Sequence, residues 1–278
     1  MKKIFTALFA LLACSAASVV GAQDRKITIA TEGAYPPHNF VDAQGKLAGF
    51  EVDLAADLCT RMKVRCELVV QAWDGLIPGL NAGRFDAIMA SMIITERRRQ
   101  SVDFAGPYVE SANTFYTTKS SPVARLGAGP KINMQTQEAE FNKQIESLRE
   151  ALKGRRIGAG VASTSLAFLE RFFKDALVIQ QYRTFEQQDL DLAAGRIDLA
   201  SAQVSYVTAL QARPDGKDIV LLGPSFIRGM FGEGPGVAVK KGDEATRALF
   251  DEAIRSAKAE GVIKRLTEKW FGADLTPQ

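Results

Sequence analysis

The sequence predicts an α/β protein built as two lobes, each a mostly parallel sheet covered by helices, the lobes joined by a two-strand hinge. Three observations lead there. Strand-like and helix-like segments alternate, the alternation occurs twice, and Ala82-Gly83-Arg84-Phe85-Asp86 returns as Ala194-Gly195-Arg196-Ile197-Asp198 at an offset of 112 residues. Regular alternation of the two element types is how a parallel sheet acquires a helical cover. A Gly after a helix followed by an apolar strand is common in itself, so the shared order of elements is what gives the repeat its meaning.

The first lobe opens with a strand-like run at 27–31, then a helix over 50–62 in which Val52, Leu54, Ala55, Leu58 and Met62 recur at helical spacing. A second strand-like run covers 67–71, and Trp73-Asp74 starts a helix that runs through Leu80 and stops at Gly83. A third strand is expected over 85–90. The extended, aromatic-rich stretch 103–118 would cross to the second lobe, and 120–131, with Pro122, Gly127, Gly129 and Pro130, reads as loop.

Phe141, Ile145, Leu148 and Leu152 then fall on one face of a helix ending at Gly154, an addition to the second lobe. The repeat of the first pattern follows: a strand at 156–160, a helix over 163–174, a strand at 177–182, a helix over 185–194 stopped by Gly195, and a strand at 197–201. Beyond the Gly-rich stretch 229–236 come a strand at 237–239 and helices over 244–260 and 262–270. If the second lobe closes near residue 222, this tail returns to the first. The expected division is 23–112 with 226–278 for the first lobe and 113–225 for the second. Two crossings make a hinge, and ligands commonly bind in the cleft beside one.

Met1-Lys2-Lys3, the apolar run 4–13 and the closing Val20-Gly21-Ala22 form a basic, apolar and small-residue series, so residues 1–22 read as a signal peptide cleaved after Ala22. An uncleaved anchor and lipidation at Cys14, after Leu11-Leu12-Ala13, are the alternatives. Removal of 22 residues, with Lys2 and Lys3 the charges lost, leaves 256 residues and takes the net charge from +3 to +1. Basic and acidic residues are interspersed, which argues against a nucleic-acid partner. No later segment is apolar enough to span a membrane, so the expected product is a periplasmic protein. Cys59 and Cys66 remain, an even number in an oxidising compartment, and read as a disulfide. A metal site is the rival, but the sole histidine is His38, in an expected loop beside Pro37, and no metal is expected.

Gly49-Phe50-Glu51-Val52-Asp53-Leu54, Trp73-Asp74-Gly75-Leu76-Ile77-Pro78, Ala87-Ile88-Met89-Ala90-Ser91 and Thr95-Glu96-Arg97-Arg98 resemble the polar amino-acid-binding periplasmic proteins of ABC importers, the lysine/arginine/ornithine- and histidine-binding type. The resemblance covers nearly all of the mature chain. It implies the two-lobed type II periplasmic binding protein fold and a Cys59–Cys66 disulfide. The insert at 120–153, Thr31-Glu32-Gly33, Lys269-Trp270-Phe271 and Asp274-Leu275-Thr276-Pro277 look most like the octopine- and nopaline-binding branch.

The resemblance places the carboxylate-clamping arginine on Arg98, and a guanidinium does offer two parallel donors matched to a carboxylate. Read as a charge run alone, Arg97, Arg98 and Arg99 are a solvated helix start. Ser91, ending a strand, and Ser163, Thr164 and Ser165, starting a helix, are placed to meet the ligand's acid group, Ser163 doubling as an N-cap. Tyr35 and Trp73 match two aromatics that sandwich the ligand side chain, and Glu32 falls where the lysine/arginine binders carry an Asp toward the cationic end. Ala90 and Gly160 complete the expected site.

Two positions depart from the pattern. An Asp that pairs with the α-ammonium is replaced by Gln203, and a Ser near the carboxylate by Ile93. A neutral amide accepts a hydrogen bond but does not offset a charge in a dry cleft. The expected ligand is therefore a cationic amino acid or a derivative with an altered or missing α-nitrogen, an opine or a guanidino or amino carboxylate without an α-amine, held by a monomer that delivers it to an ABC permease without a cofactor. The rivals are a periplasmic dehydratase of the same fold and a sensor that presents its ligand to a receptor. No His, Cys or Ser triad can be assembled for catalysis.

Overall fold

The computed structural model describes residues 25–277; the expected leader at 1–22 and Cys14 lie outside the described residues. The first part of the chain forms β1 (Lys26–Thr31), β2 (Ala34–Tyr35), β3 (Asn39–Val41), β4 (Leu47–Ala48), α1 (Phe50–Met62), β5 (Arg65–Val70), α2 (Leu76–Asn81), β6 (Ala87–Ile88), α3 (Glu96–Arg99) and β7 (Val102–Ala105). The middle forms β8 (Asn113–Thr118), β9 (Ala128–Asn133), α4 (Glu138–Ala151), β10 (Arg156–Gly160), α5 (Thr164–Phe172), β11 (Val178–Tyr182), α6 (Phe185–Ala193), β12 (Leu199–Gln203), α7 (Val204–Ala212) and β13 (Ile219–Ile227). The chain closes with β14 (Val237–Lys240), α8 (Glu244–Ala259) and α9 (Val262–Phe271).

Two main sheets result, in the orders β5-β1-β6-β14-β7 and β11-β10-β12-β8-β13-β9, with a small antiparallel sheet of β2, β3 and β4 beside the first. In each main sheet the first three strands are parallel, and antiparallel pairing begins where the crossing strands join. The repeated pentapeptide has a structural meaning. Gly83 and Gly195 end their helices in the left-handed region, at φ 71° and 68°. Asp86 then exchanges two bonds with Thr28 in β1, and Asp198 exchanges the same two with Arg156 in β10, each carboxylate accepting a backbone N–H at 2.7 Å. The same device pins the middle strand of each lobe to the one that follows.

Helix α1 buries Leu54, Ala55 and Leu58 of the face its spacing predicts, together with Phe50 and Cys59, while Val52 and Met62 are only half-buried. Cys59 is bonded to Cys66 in β5, with Cα atoms 6.1 Å apart, so the helix and the next strand are tied across a left-handed turn at Lys63. In the second lobe Phe141, Ile145, Leu148 and Leu152 pack with Phe115, Phe168, Phe173 and Phe226 in one apolar core.

Several boundaries differ from the sequence reading. The stretch 120–131 is not all loop: β9 pairs with β13 at the edge of the second sheet, where Pro130 removes no needed donor. The strand expected over 85–90 is reduced to Ala87–Ile88, and the one over 197–201 lies at Leu199–Gln203. Gly223-Pro224 does not break the chain; β13 runs through it with a register shift and continues past residue 225, the expected end of the lobe. Phe231 still packs in the second core, so the return crossing follows it, after which Pro235 bridges to Ile93. Among the described residues, no helix is long and apolar enough to cross a membrane.

Candidate functional site

A cavity of about 590 Å³, counting its open mouth, lies between the two sheets at the carboxyl ends of their parallel strands, where open α/β sheets present ligands with loops and helix starts. Glu32 follows β1, Ala90 and Ser91 follow β6, Gly160 ends β10 and Gln203 ends β12. Tyr35, Trp73, Arg98, Ser163, Thr164 and Ser165 also line it, so all eleven residues singled out from the sequence face one space. The sequence reading missed Asn113, Val161, Arg183, Thr184, Phe185, Gln188 and Ala202. A usable signal existed for some of them: 182–185 is a strand-to-helix junction like 160–165, in the same lobe and next to it.

The structure separates the three arginines. Arg97 is exposed, and Arg99 pairs with Glu233 at 3.1 Å. Arg98 is half-buried, its guanidinium 5.2 Å from the centre of the Trp73 ring. It donates to the Ile93 carbonyl at 2.8 Å and to the Ala162 carbonyl of the second lobe at 3.3 Å. Thr95 caps α3 by accepting the Arg98 backbone N–H. Burial, with Arg97 adding to it, lowers the Arg98 pKa to about 10, which leaves it cationic at neutral pH. No carboxylate among the described residues pairs with it.

Glu32 is the cavity's carboxylate, 9% exposed and without a cationic partner among the described residues. Burial, and then the nearby Glu51, push its pKa up to about 7. Glu51 itself is 1% exposed at the start of α1 and accepts three hydrogen bonds: from Asn39 Nδ2 at 2.6 Å, from the Ser91 backbone N–H at 2.6 Å and from the Tyr108 hydroxyl. Burial raises its pKa while the three donors oppose the rise. Ser91 sits in the left-handed region at φ 50°, which a side chain rarely adopts. The carboxylate of Glu51 thus fixes the backbone that presents Ser91.

Ser91 and Gln203 are 112 positions apart, the offset of the repeat, and occupy matching strand ends. They meet across the cleft: the Ser91 hydroxyl lies 3.3 Å from Gln203 Oε1 and 3.1 Å from its Nε2. His38 is not in an open loop but 1% exposed, its Nε2 2.9 Å from the Ser205 hydroxyl and its Nδ1 3.4 Å from that of Ser91. Burial lowers its pKa to about 3, so it is a neutral bridge between the lobes.

Tyr35 and Trp73 both line the cavity, yet each ring already has company. Tyr35 stacks on His38, Phe185 and Tyr206 with centroids 4.9, 4.5 and 5.1 Å away, entering the apolar cluster of the second lobe. Behind it, Tyr116 and Tyr206 donate to Asp189 at 2.6 and 2.5 Å, and Gln188 donates to Tyr116 at 2.8 Å. On the opposite side, Ser163 spends its hydroxyl capping α5 at Leu166, which leaves Thr164 and the free N–H groups of that first turn toward the cavity.

Two similar α/β lobes, touching across a cavity at their strand ends, are the architecture of a protein that encloses a small solute. A family model for bacterial extracellular solute-binding proteins, family 3, matches residues 27–273, and the chain belongs to that family. It is 39% identical to the octopine-binding periplasmic protein of Rhizobium meliloti, over all of this chain and 99% of that one. It is 34% identical to the L-arginine-binding protein of Pseudomonas aeruginosa, over 99% of this chain and 98% of the relative. Among solved structures, an ancestral arginine-binding protein bound to arginine is similar with a TM-score of 0.74 and 28% identity, covering 89% of this chain and 98% of that one.

Proposed function

We propose that the protein is the periplasmic binding component of an ABC importer, a monomer released by cleavage after Ala22. It closes two lobes, divided near residues 112 and 231, on a cationic amino acid or amino-acid derivative, either arginine-, lysine- or ornithine-like or an opine. One observation carries this reading: among the described residues, one cavity holds a guanidinium with no carboxylate partner, Arg98, and a carboxylate with no cationic partner, Glu32. A ligand with an acid at one end and a base at the other satisfies both. Ser91, Trp73 and Arg98 belong to the first lobe and Thr164 and Gln203 to the second, so closure brings together contacts that neither lobe offers alone. A thermal-shift screen of the mature chain against basic amino acids, opines and neutral amino acids tests the reading. Basic carboxylates should raise the melting temperature by mass action, and a shift from neutral amino acids alone would overturn it.

The position of Glu32 predicts a pH dependence. With a pKa of about 7 in the free protein, Glu32 is largely protonated at pH 6, and a cationic ligand group favours the ionised form. Binding must then release a proton, and affinity should fall as pH drops below about 7, by up to about tenfold per unit. Above that pH it should level off. Calorimetry at pH 6 in buffers of different ionisation enthalpy reads the proton release; uptake of a proton would contradict the assignment.

A carboxyl poised near neutrality is also what a general acid requires, which favours a dehydratase as the second reading. Incubation with candidate hydroxy acids followed by mass spectrometry separates the two, since a binding protein returns them unchanged.

A further inference from the structure

We infer that His38 is a proton-sensitive clasp between the lobes: neutral, it ties the first lobe to the start of α7 in the second and favours the closed form; protonated, it favours the open form and release of the solute. The inference rests on the lobe closure proposed above and not on which solute the cleft takes.

Position comes first. His38 follows β2 on the first lobe, and its backbone carbonyl accepts the Glu51 N–H at 2.8 Å, so the start of α1 fixes where the ring stands. One edge of the ring meets its own lobe, Nδ1 lying 3.4 Å from the Ser91 hydroxyl. The other meets the second lobe, Nε2 lying 2.9 Å from the Ser205 hydroxyl in α7. Tyr35 stacks on the ring at 4.9 Å and Phe271 packs against it, tilted, at 4.7 Å. Tyr35 carries the stack on to Phe185 and Tyr206 of the second lobe. The bond to Ser205 is thus a contact of the closed form alone. Neither His38 nor Ser205 lines the solute cavity, so what they contribute to closure is independent of what fills it.

Charge comes second. A neutral imidazole has one donor and one acceptor nitrogen, and two hydroxyls satisfy either tautomer. A second proton would make a buried cation, and among the described residues the ring has no carboxylate partner. The titratable groups on the surrounding elements do not supply one. Tyr35 on the same loop is held neutral by burial, and the Glu51 carboxylate on α1 is taken up by Asn39, Ser91 and Tyr108. Tyr206 on α7 donates to Asp189, Lys269 on α9 pairs with Asp53, and Glu32 lines the cavity. Parting the lobes takes Ser205 away and opens the Nε2 edge to water, where an imidazole titrates near its ordinary value of about 6.5. The closed form keeps the ring neutral down to about pH 3. Closure is therefore fully favoured above the open-form pKa and loses up to about tenfold per pH unit below it.

Calorimetry on the mature chain from pH 8 to pH 5, with the tighter binder of arginine and Nα-(1-carboxyethyl)arginine, tests this on two variants. His38→Phe keeps a ring against Tyr35 and Phe271 but takes no proton. Over that range the wild type should lose about thirtyfold more affinity than His38→Phe, the loss due to Glu32 being common to both. Ser205→Ala, at a half-buried position of the second lobe, should weaken binding at pH 8 by about two- to tenfold, the scale of one hydrogen bond. The melting temperature of each unliganded variant checks its folding. Parallel pH profiles in the wild type and His38→Phe, or full affinity in Ser205→Ala, overturn the clasp and leave the proposed function standing. Failure of both compounds to bind the wild type at pH 8 overturns both.

Discussion

Replacing Arg98 with Ala is expected to weaken binding of the solute by about 2–5 kcal/mol, roughly thirty- to five-thousand-fold, the range for truncating one member of a desolvated charge pair. Within its own lobe the guanidinium is held by the Ile93 carbonyl and by the Trp73 face, and the Ala162 carbonyl of the second lobe joins them when the lobes are closed. Preorganisation of that kind means that little freedom is lost when a carboxylate docks. The substitution removes the cation that meets the ligand acid and leaves that acid desolvated and unpaired. Fluorescence titration or calorimetry checks it, with the melting temperature of the unliganded variant as the control for folding. Near-normal affinity would remove the carboxylate assignment.

The second large effect is expected at Glu51, a residue that need not touch the ligand. Glu51→Ala strands the Asn39 amide, the Ser91 N–H and the Tyr108 hydroxyl in a buried pocket. With each unsatisfied buried donor worth about 1–3 kcal/mol, the loss of folding stability should reach about 3 kcal/mol or more. Urea unfolding reads it directly. Glu51→Gln retains one acceptor oxygen and should lose less. Both variants should also bind the solute more weakly, because Ser91 depends on that carboxylate for its left-handed backbone. A variant as stable as the wild type would show that the carboxylate is dispensable.

Much of the fold was legible because it is written in local patterns. The helical spacing of Leu54 and Leu58, the series Phe141, Ile145, Leu148 and Leu152, and the paired Gly83-Arg84 and Gly195-Arg196 turns each specify an element without reference to anything distant. The strand β9 and the passage of β13 through Gly223-Pro224 were hidden because Gly and Pro signal turns everywhere except at a sheet edge or an irregularity, and only the assembled sheet says which applies. The site divides in the same way. Residues inside a recognisable motif, such as Ser91 and Arg98, were found. Asn113, Phe185 and Gln188 were not, because what marks them is what they face across the cleft, on strands and helices far apart in sequence. Glu51 stood within a motif without being singled out, and His38 looked like a loop residue; burial alone reveals both.

The most direct measurement is calorimetric comparison of two solutes on the mature wild-type chain: the tighter binder of arginine and Nα-(1-carboxyethyl)arginine, and agmatine, which keeps the guanidinium but has no carboxylate. A cleft organised around Arg98 and Glu32 predicts one-to-one binding of the first and no detectable heat from agmatine. Agmatine binding as tightly as the carboxylate would contradict the account.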